Sequence, residues 1–171
     1  MNTATLTPET PLSNATMRTV KARGLDDSLR VIAGQIGKGK ANALIHQATS
    51  AALTRRRGSE WAVPIGDERK ELAAILAWVR ANVRYTRDPL FLDTFQSAER
   101  TVQLQRGDCD DMTTLIGAMA ENAGYPVAIR VVDTTGDWNH VYPLVGVPAD
   151  NPTTWLALDA TVTGGLGWEP P

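Results

Sequence analysis

A chain of 171 residues, 43% hydrophobic, is long enough for one domain with a real core and an appendage, and too short for two full domains. Its formal net charge is −2. No stretch approaches the ~20 apolar residues of a membrane span, and the N-terminal region lacks the apolar run of a secretory signal, so a cytoplasmic protein with no membrane contact is expected. The charge is unevenly placed. Residues 1–57 hold nine Lys/Arg against three Asp/Glu, and residues 58–171 hold eight against sixteen. This divides the chain into a tail with a basic helical extension (1–57) and a main domain (58–171). The basic part is suited to an acidic surface, its own or a partner's. It carries no interleaved aromatics, which argues against nucleic acid.

Residues 1–16 are rich in Thr, Pro, Ser and Asn without periodicity, the composition of a flexible tail. From Asp26 the apolar positions Leu29, Ile32 and Ile36 predict a short amphipathic helix that stops at Gly37-Lys38-Gly39. An alanine-rich helix follows from Lys40 to about Arg56, on which His46 reads as an ordinary helix-face histidine. Gly58 to Gly66 reads as a linker. Asp67 then caps a core helix reaching Val83, with Leu72, Ile75, Leu76, Val79 and Val83 in one stripe. After a loop over residues 84–96, Ser97 starts a short helix that ends before Gly107.

The clearest helix runs from residue 109 to residue 123, with Met112, Leu115, Ile116 and Met119 on one face and Gly124 just past its end. Three strands are predicted after it: Pro126–Val132, Asn139–Val145 and Thr154–Leu158. Helices followed by an antiparallel sheet make an α+β layout.

The chemistry centres on Cys109, the single cysteine, which excludes an internal disulfide. It stands at the first turn of its helix, where unpaired backbone N–H groups favour a thiolate. His140 and Asp159 fall in two short apolar strand patterns, so a thiol, an imidazole and a carboxylate can converge as a nucleophile, a base and its orienter. Asp108, Asp110 and Asp111 flank the sulfur. They are expected to cap the helix and point away, since nearby carboxylates oppose thiolate formation. One cysteine and two distant histidines offer no metal-ligand spacing, and no cofactor is expected.

Taken in order, Gly107-Asp108-Cys109-Asp110-Asp111, Gly124-Tyr125-Pro126-Val127-Ala128-Ile129-Arg130, His140-Val141-Tyr142 and Trp155-Leu156-Ala157-Leu158-Asp159-Ala160-Thr161 resemble the core motifs of the transglutaminase-like domain over about residues 67–162. The resemblance implies a papain-like architecture, a cysteine helix packed on an antiparallel sheet that carries the histidine and aspartate. It implies the catalytic set Cys109, His140 and Asp159, acting on a protein or peptide substrate by amide hydrolysis or acyl transfer. The chain departs at Tyr142, where the family commonly has tryptophan. Gln103 and Gln105 are candidates for the second oxyanion donor, beside the Cys109 backbone N–H, and Trp138 and Tyr142 for the substrate cleft. The alternative is an assembly protein that keeps the fold for binding. The pattern, with its Gly164-Gly165-Leu166-Gly167-Trp168-Glu169-Pro170-Pro171 end, also resembles small transglutaminase-like proteins encoded among bacteriophage structural genes. In that case the partners of residues 1–57 are virion or assembly proteins, and the location includes the virion.

Overall fold

The computed structural model describes residues 24–54, 56–57, 60–61, 63–88, 94–133 and 138–169. The tail expected over residues 1–16 lies outside them. Helix α1 (Leu25–Gly39) buries Ile32 and Ile36. Helix α2 (Ala43–Thr54) starts three residues later than its composition suggested, because Asn42 accepts the Leu44 N–H at 2.8 Å and acts as the cap. Ile45, Ala48 and Ala52 of α2 enter the same core cluster as the later helices, so the division at residue 57 is one of charge. The expected linker holds part of a short antiparallel pair, β1 (Arg56–Arg57) with β2 (Glu60–Trp61).

Helix α3 (Glu68–Asn82) is capped by Asp67, which accepts the Lys70 N–H, and it buries Leu72, Ile75, Leu76 and Val79 as its stripe requires. Strand β3 (Arg84–Tyr85) runs parallel to β4 (Arg106–Gly107), with Ser97-capped α4 (Ala98–Leu104) between them. These strands are too short to show any alternation in sequence.

Helix α5 (Cys109–Asn122) is buried without interruption from Asp111 to Ala120, and α1, α2, α3, α4 and the sheet all pack on it. A helix enclosed on every side must be apolar or small all round, and the run Met112 to Ala120 is. Two glycines let α1 approach closely. A Cβ at Gly117 would sit 2.6 Å from Ile36 Cδ1, and one at Gly39 would sit 2.8 Å from Ala118 Cβ. The α1–α2 corner is fastened to the far end of α5 by Asn122, which donates to the Lys40 carbonyl, and by the Lys40–Glu121 ion pair.

The sheet is antiparallel in the order β5 (Val127–Asp133), β6 (Trp138–Val147), β7 (Thr154–Ala157). Its pairings include Val131 with Val141 and Val145 with Leu156. Alternation places Val145 in the main core and Tyr142 and Leu144 in a separate cluster with Ala157. The expected α+β architecture is therefore present, helices first and a small antiparallel sheet after them. Among the described residues, no helix is long and apolar enough to cross a membrane.

Candidate active site

Cys109 is the first residue of α5, and the turn before it is built by carboxylates. Asp108 accepts the Asp111 N–H while Asp111 accepts the Asp108 N–H, a reciprocal cap that occupies donors at the helix start. Only glycine fits at 107, since a Cβ there would lie 2.6 Å from Asp111 Cβ. Asp111 is also held from outside the helix. Its Oδ1 accepts the Gln96 backbone N–H at 2.7 Å, and its Oδ2 accepts the Gln96 side-chain amide.

The sheet reaches this helix end through Val141. The Thr113 hydroxyl is within 2.6 Å of the Cys109 carbonyl and 3.0 Å of the Val141 carbonyl, tying β6 to the first turn. The Val141 backbone N–H in turn faces the thiol. Cys109 also packs against the apolar cluster of Ile32, Ile36 and Val141.

His140 precedes Val141, and its Nε2 lies 2.6 Å from Asp159 Oδ2. Asp159 is almost fully buried, and its other oxygen, Oδ1, accepts both the N–H and the hydroxyl of Thr161. Burial alone pushes the Asp159 carboxyl up, but the bonds from His140 and Thr161 outweigh it and hold the group below its ordinary value. The structure thus joins two of the three expected residues directly. The third meets β6 one residue away, and among the described residues no hydrogen bond links the thiol to the imidazole.

Two expectations are corrected. The Cys109 thiol is pushed up to about 12 rather than down. Burial is the chief cause, and the neighbouring charges of Asp108 and Asp110 add to it, so these carboxylates are close enough to act on the sulfur. Crowding also raises the acids themselves. Asp110 is raised by burial, by its hydrogen bond with Asp108 and by the surrounding carboxylates, and Asp111 is raised mainly by burial. Tyr142 is only 1% exposed, its ring centroid 5.6 Å from that of His140 and its hydroxyl bonded to Glu169. Its ring forms a wall behind the imidazole.

Of the remaining candidates, Gln105 is the left-handed C-cap of α4 (φ 53°), with its carbonyl accepting from Arg84, and Gln103 is half-buried in the last turn of α4. Neither side chain is hydrogen-bonded to Cys109. The backbone of Trp138 opens β6, and its side chain lies outside what is described. Sequence reasoning missed Gln96, Thr113 and Thr161. The last had a local signal, an Asp-x-Thr spacing that permits the side-chain turn seen here. The contacts of Gln96 with Asp111 and of Thr113 with Val141 join residues far apart in sequence and left none, while the Thr113 bond to the Cys109 carbonyl is a one-turn contact that any helical threonine can make.

Carboxylate oxygens of Asp108, Asp110 and Asp111 lie within 4.8 Å of one another, a spacing that one cation can bridge. The spacing of the cysteine and the two histidines gives no sign of such a group.

No curated protein and no solved structure gives a significant match to the chain. Residues 45–160, more than half of the chain, match the family model described as Transglutaminase-like superfamily, and the chain belongs to that superfamily.

Proposed function

We propose that this protein is a cysteine-dependent amide-bond hydrolase or acyl transferase acting on a protein or peptide through Cys109, His140 and Asp159. The observation that carries this reading is the His140–Asp159 bond on a strand whose next residue, Val141, faces the Cys109 thiol.

Because Nε2 is engaged by the carboxylate, Nδ1 is the nitrogen left to move a proton. The thiol is neutral at rest, so attack begins with proton transfer rather than from a standing thiolate. The S–H proton passes to His140 Nδ1 as sulfur bonds to the carbonyl carbon. The C–N bond then breaks, and the amine leaves with that proton. Water adds to the thioester, giving its proton to Nδ1, the C–S bond breaks, and the thiol is restored. An amine in place of water gives transfer. The Cys109 backbone N–H is the first candidate donor to the oxyanion.

A second reading, a binding or assembly protein that keeps the fold, is favoured by the raised thiol and its packing against an apolar cluster. The rate of Cys109 alkylation against pH, in the intact chain and in His140→Ala, separates the two. Reaction at neutral pH that slows in the variant, together with amine release from peptide amides, supports the enzyme. Equal, slow reaction in both, with no amine release, overturns it and turns attention to binding partners.

A further inference from the structure

Arg80 lies on α3, far in sequence from the three catalytic candidates, and has no place in the reaction described above. Its terminal nitrogen Nη2 shares its two N–H groups among three backbone carbonyls of one loop: Asp159 at 2.7 Å, Val162 at 2.7 Å and Gly164 at 2.6 Å. Among the described residues no carboxylate pairs with it, and its Nε is buried without a hydrogen bond. A guanidinium usually meets planar anions with two or more nitrogens. Here one nitrogen meets three carbonyls, and one of them is the carbonyl of Asp159 itself.

We propose that Arg80 is a positioning residue, which fixes the backbone of the 159–164 loop so that Asp159 presents Oδ2 to His140. The proposal rests on the triad reading given above. Three contacts act on Asp159 from three sides. Arg80 holds its carbonyl, Thr161 holds Oδ1, and the remaining oxygen faces His140 Nε2 at 2.6 Å. The far side of the loop is closed by Trp168, whose ring lies where a Cβ on Gly164 would be, and by the Gly167 N–H, which donates to the Ala157 carbonyl. Without the guanidinium, three carbonyls lose their common donor. The loop can then turn Oδ2 away, while the α3 stripe that packs the core is untouched.

The test uses the full chain with Arg80→Met, which keeps much of the length and apolar stem, and Arg80→Lys, whose ammonium has three protons but reaches one bond less far. The first readout is the downfield proton NMR signal of the His140 Nε2–H, which reports its bond to Asp159. The second is kcat and KM for release of amine from a peptide amide. The expected order for both the signal and kcat is wild type, then Lys, then Met, with kcat falling at least about tenfold in Met and KM little changed, since a misoriented base slows the step without removing binding contacts. A folded Arg80→Met that keeps the signal and kcat overturns the proposal. So does an unaltered Arg80→Lys if the Met variant does not fold. A wild-type chain that shows the signal but releases no amine sinks the amide chemistry instead, and the positioning of Asp159 is then judged on the signal alone.

Discussion

The Thr113 hydroxyl lies 3.0 Å from the Val141 carbonyl, and through this contact the strand that carries His140 is fastened to the helix that carries Cys109. The same oxygen lies 2.6 Å from the Cys109 carbonyl one helical turn back, so a single side chain reads the positions of both elements. Replacing Thr113 by valine keeps the shape and removes the hydroxyl. We expect the chain to fold with a loss of about 1 kcal/mol, the net value of such a bond. The alkylation rate of Cys109 and its dependence on His140 should change as well. Urea midpoints and alkylation rates of Thr113→Val, alone and with His140→Ala, check this. Additive effects on alkylation would mean that Thr113 does not couple the two elements.

Asp108 sets the reactivity of the neighbouring thiol as well as the start of its helix. Asparagine caps a helix about as well as aspartate but carries no charge. Asp108→Asn should therefore leave stability within about 0.5 kcal/mol while lowering the thiol from its value of about 12, for which the Asp108 charge is the second cause after burial. A shift of one pH unit makes alkylation about tenfold faster at fixed pH below the titration. The measurement is the pH profile of alkylation in the two proteins. Superimposable profiles would remove Asp108 from the account.

Much of this site was legible in the sequence, and what was not has a physical reason. The periodicity of α3 and α5 gave their cores, because one apolar stripe per helix is a local property of the chain. The order Cys109, His140, Asp159 placed the candidates on a helix and near two strands, because their flanking runs are strongly helical or β-branched. The thiol's environment was misread because burial is a tertiary quantity. The N–H groups at a helix start favour an anion only when no carboxylate occupies them, and here Asp108 and Asp111 do. The Arg80 loop clamp joins residues about 80 positions apart, and no pattern of spacing announces such a contact.

Gly39 tests how tightly α1 must lie on α5. Alanine inside a helix ordinarily gains about 1 kcal/mol over glycine. At this position its Cβ would stand 2.8 Å from Ala118 Cβ and 3.0 Å from Ala98 Cβ, two atoms that cannot rotate away. Overpacking of this kind costs roughly 1–3 kcal/mol, so Gly39→Ala should be neutral at best and destabilised by up to about 2 kcal/mol. A urea titration showing a clear gain in stability would mean that α1 is free to shift outward.

Asp159 gives a prediction whose sign follows from its surroundings. Burial raises the carboxyl, but the bonds from His140 and Thr161 win, so the folded value lies below the ordinary 3.8. A carboxylate depressed on folding contributes stability that is fully present above its unfolded value and is lost as pH falls through its folded value. Asparagine at this position cannot titrate. The stability difference between the wild type and Asp159→Asn should therefore shrink steadily below about pH 4. Urea unfolding at a series of pH values reads this difference directly. A difference unchanged down to about pH 2.5 would mean that the His140 and Thr161 bonds do not favour the ionised form. The same variant should lower amide turnover by on the order of a hundredfold or more, because an imidazole without its carboxylate loses both orientation and tautomer.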